Sequence, residues 1–98
     1  MSEKLDHRSY AYRDDLADIR LRDRVTAERY TQGEAAHVVM PVADIRPRPD
    51  PECSIDTQAL MGEMLTVFDL SGGWAWVQLA ADGYVGYLRQ EETREGTS

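Results

Sequence analysis

The stretch MLTVFDLSGGWAWVQLAADGYVGYL, residues 64–88, decides the fold. It contains three apolar and aromatic runs, at residues 64–70, 74–80 and 84–88, and the two short segments between them both contain glycine. Short glycine-containing segments between runs rich in β-branched and aromatic residues are typical of β-hairpin turns. The pattern therefore predicts three antiparallel strands that follow one another as a meander.

Alternation within the middle run separates the two faces of the predicted sheet. Ala75, Val77 and Leu79 fall on one face, whereas Trp74 and Trp76 fall on the other. The aliphatic row is the natural core side. We expect a core that includes Val38, Ile45, Leu65, Val67, Val77, Leu79, Val85 and Leu88. The first run has apolar residues on both faces, so a second layer should cover the outer side as well.

The chain before the meander carries weaker signals. Residues 14–22 have acids at the start, arginines at the end and a thin apolar stripe, which predicts a short helix capped by Asp14 or Asp15. Two β-like runs follow, at residues 25–31 and 35–42. The helix is the expected cover for the outer face of the meander.

Residues 43–58 contain three of the four prolines, which predicts a long exposed loop. The elements together predict a mainly β fold, a small antiparallel barrel with a short N-terminal helix and a lead-in strand. We divide the chain into a lead-in at residues 1–34, the barrel at residues 35–90 and a polar tail or linker at residues 91–98.

Charge narrows the range of partners. The 98-residue chain has a net charge of −7, and residues 35–98 contribute ten acids against four bases. Phosphate backbones and anionic membranes are bound by lysine and arginine clusters, so neither nucleic acid nor a membrane is an expected partner. An amine-bearing ligand suits the negative field. The polar first residues do not resemble a secretory signal, which predicts a cytoplasmic location.

The residues offer little for catalysis. Cys53 is the one cysteine, and it lies in the proline-rich segment without a basic neighbour in the sequence to activate it. His7 and His37 are thirty residues apart, and they and the scattered carboxylates lack metal-ligand spacing. We therefore expect no catalytic residue, metal or cofactor in this chain.

The aromatic residues of the meander are the best candidates for binding. Trp74, Trp76, Tyr84 and Tyr87 lie on two adjacent predicted strands, where they could form a flat, amphipathic contact surface. Alternatively, the tryptophans pack under the N-terminal segment as a second small core. Glu63 begins the meander and either places a carboxylate at the rim of this surface or is merely solvated.

Three motifs resemble a known family. They are DTQALMGE at residues 56–63, GWAWVQ at 73–78 and DGYVGY at 82–87, with YRDDLA at 12–17 and RVTAE at 24–28 upstream. The chain is similar over residues 10–90 to the bacterial SH3-like domain, and more narrowly to the N-terminal SH3-like domain of NlpC-type cysteine peptidases. Those enzymes cut γ-D-glutamyl–diamino-acid bonds in cell-wall peptides.

The resemblance implies a non-catalytic accessory module. The catalytic Asp-Cys-Ser-Gly-like motif of these enzymes lies in a later domain, and residues 52–55, ECSI, lack its glycine. The implied partners are a C-terminal catalytic cysteine-peptidase domain and a murein-derived peptide, and the chain itself should be a monomer.

The resemblance also implies a ligand site. In related peptidases a carboxylate and a tyrosine hydroxyl of the SH3-like domain hold the free amine of the wall peptide. By motif position these are Glu63 and Tyr84, with Tyr87 as the second choice for the tyrosine. Two rival interpretations remain open: a generic peptide-binding adaptor that uses Trp74 and Trp76, and a purely structural lid.

Overall fold

The computed structural model describes residues 5–96, which form short strands and two single 3-10 turns. The strands are β1 (Leu16–Asp18), β2 (Arg29–Thr31), β3 (Glu34–Val38), β4 (Val42–Ile45), β5 (Thr57–Leu60), β6 (Met64–Ser71), β7 (Trp74–Leu79), β8 (Val85–Arg89) and β9 (Thr93–Glu95). The turns are Ile19–Leu21 and Gln90–Glu92. None of the described elements is a helix long and apolar enough to cross a membrane.

A five-stranded antiparallel sheet in the order β8–β7–β6–β3–β9 forms the centre of the fold. Its strands β6, β7 and β8 are the predicted meander, and each end lies within one residue of its predicted position. The β6–β7 turn depends on Gly72 and Gly73, whose φ angles of 59° and 84° are left-handed. Glycine adopts that region without steric cost.

The main core lies on the aliphatic face of this sheet. All eight residues predicted for the core are buried, and Val38, Ile45, Val77 and Leu88 are the largest side chains with no appreciable exposure. Seven of the eight belong to one cluster, while Val85 packs in a second cluster on the opposite face. The alternation in the sequence therefore identified the main-core face correctly, and Val85 is the one predicted core residue that lies on the other face.

The predicted barrel is not closed within residues 5–96. Strands β4 and β5 form a separate antiparallel pair, with Ala43 opposite Ala59. This pair meets the main sheet through a single bridge, in which Arg46 and Tyr87 exchange two backbone hydrogen bonds of 2.8 Å. The fold is thus a main sheet with a strand pair packed on its aliphatic face.

The prediction of one long exposed loop at residues 43–58 was wrong at both ends. Ala43 and Ile45 lie in β4 and are completely buried, and residues 57–58 begin β5. The three prolines prevent strand formation only in the connection between β4 and β5. The segments on either side of them pair with each other. Within that connection Cys53 is 9% exposed, and its thiol contacts the Arg48 and Asp50 carbonyl oxygens.

The predicted N-terminal helix was also wrong. Leu16–Asp18 forms β1, which pairs in parallel with β2, and only Ile19–Leu21 makes a single 3-10 turn. The Asp18 carboxylate accepts the Arg20 backbone N–H at 3.0 Å, a local bond that competes with helix propagation. All three residues of β1 are buried. Burial of an extended segment therefore stabilised the strand more than the thin apolar stripe stabilised a helix.

The lead-in nevertheless covers the outer face of the meander, as expected of the helix. Ala11 and Leu16 pack there against Phe68, Trp76 and Val85 as a second core. At the other end of the chain, Thr93–Glu95 of the predicted tail forms β9 and pairs with β3. Residues 1–4 of the predicted lead-in and 97–98 of the predicted tail lie outside the described residues.

The close approach of β4 to β8 provides a test of this packing. A Cβ atom at Gly86 would lie 2.6 Å from Ile45 Cγ2 and 2.9 Å from the Arg46 carbonyl oxygen. Gly86→Ala should therefore lower the free energy of unfolding by about 1–3 kcal/mol, a typical cost of overpacking. Equilibrium urea unfolding measures this change.

Ser71→Ala is the control for this variant. Ser71 is exposed in the β6–β7 hairpin, so its change should stay within about 0.5 kcal/mol. A Gly86→Ala protein as stable as the parent would show that β4 does not pack against β8 as described.

Candidate ligand-binding site

Glu63 and Tyr84 lie at the same end of the main sheet. Glu63 directly precedes β6 and Tyr84 directly precedes β8, and these two strands run in the same direction on either side of β7. At this end Leu65 lies opposite Leu79, and Gln78 lies opposite Val85. One strand therefore separates the two candidate residues, and their role in binding stays a prediction.

The Glu63 carboxylate closes the turn that leads into β6. One of its oxygens accepts the backbone N–H of Leu60, and the Glu63 N–H donates to the Leu60 carbonyl at 3.0 Å. Gly62 makes this turn possible with a φ of 89°. Among residues 5–96 no protein donor bonds the second carboxylate oxygen, Oε1, which leaves one acceptor for a ligand.

Tyr84 is half-buried against the main core, and its backbone N–H donates to the Asp82 carboxylate at 3.0 Å. Burial and the nearby Asp56 carboxylate raise the pKa of the Tyr84 phenol. The hydroxyl is therefore protonated at neutral pH, and its lone pairs can accept a hydrogen bond from an ammonium group.

The aromatic face is covered by the lead-in. The Arg13 guanidinium lies 4.4 Å from the centre of the Trp76 ring, and Trp76 is only 4% exposed. The same guanidinium donates to the Asp69 carboxylate at 3.0 Å and to the Tyr87 hydroxyl at 3.3 Å. Trp76 and Tyr87 stack at 6.4 Å, so these two candidates form one cluster that Arg13 closes.

Trp74 is covered separately. It is 9% exposed, and the guanidinium of Arg89, its cross-strand partner, lies 4.4 Å from the ring centre. A shallow cavity of about 340 Å³ remains between Trp74, Tyr87 and Pro49. Trp74 and Tyr87 thus contribute to the wall of a small cavity. The interpretation as a second core under the N-terminal segment holds for Trp76, whereas Trp74 lies outside that core.

Sequence reasoning missed the residues that hold this cover in place. Arg13 was assigned no role, although it bonds Asp15 at 2.9 Å and Asp69 at 3.0 Å. A signal was present, because Asp69 is the one charged residue in the apolar run of residues 64–70, and a bulge after Val67 places it opposite Trp76 on the outer face. A carboxylate in that position needs a cationic partner from another segment.

The described residues contain no group of three or more histidine, cysteine or acidic side chains arranged to hold a metal. The histidines and the cysteine have separate partners. His7 stacks on Tyr12 at 4.0 Å, and His37 Nδ1 lies 2.8 Å from the Gly96 carbonyl oxygen. The Cys53 thiol faces backbone carbonyls of its own loop, so no thiol–imidazole pair forms among these residues.

Acidic groups near the end of the chain reinforce the negative field. Burial raises the pKa of the Glu92 carboxyl, and the charges of Asp44 and Glu91 raise it further. The Arg89 backbone N–H opposes this by donating to Glu92 Oε1 at 3.1 Å. A cationic ligand is favoured by such a surface.

Residues 45–92, just under half of the chain, match the family model of the bacterial dipeptidyl-peptidase SH3 domain, so this segment is similar to that family. The match runs from the last residue of β4 to the second 3-10 turn. No curated protein and no solved structure matches the chain. A small SH3-like domain is a non-catalytic module, and the family description connects this one with bacterial peptidases.

Arg13 should prove essential for the cover over the aromatic face. Arg13→Ala removes charge-assisted hydrogen bonds to two carboxylates and a stacked cation, and should cost about 1–3 kcal/mol of unfolding free energy. Tryptophan emission should shift to longer wavelength, and acrylamide should quench it more strongly.

Arg8→Ala is the matched control, because Arg8 forms an exposed ion pair with Asp6 that should contribute little to stability. Unchanged tryptophan emission and quenching in the Arg13 variant would contradict the role of Arg13.

Glu92 should give the stability a measurable pH dependence. The pKa of Glu92 in the folded state is raised above 4.5. Its contribution to the free energy of unfolding is therefore fully present below pH 4.5 and is lost as the pH rises through the folded-state pKa. Glutamine does not titrate and can still accept the Arg89 N–H. Urea unfolding should therefore show Glu92→Gln gaining stability relative to the parent between pH 4 and pH 7.

Glu52→Gln, at an exposed loop position, is the control for the Glu92 comparison and should show a difference from the parent that does not change with pH. A pH-independent difference for Glu92→Gln would mean that burial does not perturb this carboxyl.

Proposed function

We propose that this chain is the accessory SH3-like module of an NlpC-type cysteine peptidase that acts on bacterial cell-wall peptides. In this proposal Glu63 and Tyr84 hold the free N-terminal amine of a murein-derived peptide. The module would form one end of the active-site cleft, beside a catalytic cysteine-peptidase domain in the cytoplasm. The observation that carries the proposal is the position of both residues at one end of the sheet, with the Asp56 and Asp82 carboxylates beside Tyr84.

The chemistry of an ammonium ligand fits these two groups. An ammonium donates three hydrogen bonds, and a charged acceptor makes the strongest of them. The free oxygen of Glu63 supplies the charge, while the Tyr84 hydroxyl supplies a neutral acceptor. Acylation of the amine removes both its charge and two of its donors. The site should therefore distinguish a free peptide from one whose amine is blocked by attachment to sugar.

A purely structural role is the second candidate, and the covered tryptophans favour it. Trp74 and Trp76 are buried under Arg89 and Arg13, so they stabilise the domain whether or not it binds a peptide. The same observation weighs against an adaptor that uses an open aromatic groove. Peptide recognition of that kind depends on accessible rings.

Titration with a defined peptide distinguishes binding from a structural role. The ¹⁵N-labelled chain is titrated with L-Ala-γ-D-Glu-meso-diaminopimelate and with its N-acetylated form, and amide shifts are followed by NMR. We expect the free peptide to shift resonances around Glu63 and Tyr84, with a dissociation constant near millimolar, about −4 kcal/mol. The acetylated peptide should bind at least about tenfold more weakly, a difference of ~1.4 kcal/mol.

Variants identify the residues responsible. Glu63→Gln and Tyr84→Phe should weaken binding of the free peptide while leaving the acetylated peptide unaffected. Glu52→Gln, an exposed carboxylate of the β4–β5 loop, is the matched control. Equal affinity for both peptides would refute amine recognition, and the absence of shifts with either peptide would favour the structural role.

A further inference from the structure

A groove of about 430 Å³ lies at the opposite end of β6 from Glu63. Six residues of extended strand lie between Glu63 and Leu70, which places these two residues about 23 Å apart. The floor of the groove is apolar and consists of Ala36, Val67, Phe68 and Leu70. We call this surface the Leu70 groove. It is separate from the proposed amine site.

The groove exists because the main core ends before the strand does. Leu65 on β6 is 2% exposed, whereas Leu70, opposite the core residue Ala75, is 49% exposed. An apolar side chain of this size that stays half-exposed over a concave surface leaves hydrophobic area that a partner can bury.

The walls of the groove are held in place by backbone contacts. Gly33 passes so close to β6 that a Cβ atom there would lie 2.9 Å from the Val67 carbonyl oxygen. On the other side β9 pairs with β3, and the Gly96 N–H donates to the Ala35 carbonyl at 2.8 Å. A preformed groove spares a ligand the cost of ordering the site.

The charge of the groove selects its occupant. Glu34, Asp69 and Glu95 line it, and the lining contains no lysine, arginine or histidine. Asp69 is already paired with Arg13, whereas Glu34 and Glu95 are exposed and form no ion pair among residues 5–96. The register places Glu95 opposite Ala36 and thus diagonal to Glu34, at about 7–8 Å.

We propose that the Leu70 groove binds a cationic, extended peptide segment of a partner protein. One apolar side chain of this segment contacts Leu70, and the lysine or arginine side chains beside it pair with Glu34 and Glu95. A second copy of this chain is a poor occupant, because each copy has a net charge of −7 and like charges across an interface are repelled. The proposal goes beyond amine recognition and does not depend on it.

The probe is the peptide acetyl-Lys-Gly-Leu-Gly-Lys-amide, whose alternate residues point to one side when it is extended. Titration of the ¹⁵N-labelled chain at low salt should shift the amide resonances of the groove and leave those around Glu63 unchanged. Peptides with glutamate in place of both lysines, or with serine in place of leucine, should bind at least about fivefold more weakly. Binding by the glutamate peptide with equal affinity would overturn the proposal.

Paired variants test the groove without disturbing the core. The double variant Glu34→Gln, Glu95→Gln should weaken binding of the lysine peptide about fivefold, because two exposed ion pairs are lost. The double variant Glu28→Gln, Glu52→Gln removes the same charge at exposed positions elsewhere and should leave the affinity within about twofold. Equal losses of affinity for the lysine peptide in the two double variants would refute the proposal. So would groove resonances that shift with protein concentration and not with peptide concentration.

Discussion

The burial of β7 on both faces is the constraint on which the rest of the structure depends. Five of its six residues are buried, with aliphatic side chains on one face and tryptophans on the other. A strand of this kind is stable only when a layer packs on each side. The β4–β5 pair provides one layer, and the lead-in provides the other. Gly86 permits the first contact, and Arg13 fixes the second.

The meander and its core could be predicted because local signals agreed with one another. Alternation at residues 74–79 and the glycines at positions 72 and 73 both required a hairpin. The lead-in could not be predicted in the same way. Its acids and arginines satisfy the rules for a short helix, and only the tertiary burial of β1 makes it extended. The prediction of a loop at residues 43–58 was wrong for a similar reason, since the two ends of this stretch lie in β4 and β5, which pair with each other.

The candidate site was predictable in part. Strand direction alone indicated that Glu63 and Tyr84 share one end of the sheet. Both residues belong to the meander itself, so no segment distant in the sequence had to be placed. The sequence could not reveal that Arg13 closes the aromatic cluster, since Arg13 and Trp76 are 63 positions apart in the chain. Nor could it locate the Leu70 groove, which depends on where the main core ends along β6.

Strand β3 lies between β6 and β9, yet it precedes the segment that carries the family match. A fragment cut at residue 45 would leave the β6 edge without its hydrogen-bonding partner and would expose Phe68 and Trp76 together. The unit that family comparison recognises and the unit that folds are therefore different lengths of chain. Domain fusions or grafts made at the family boundary would carry an unpaired strand edge into their new protein, whereas those that include β3 and the lead-in would not.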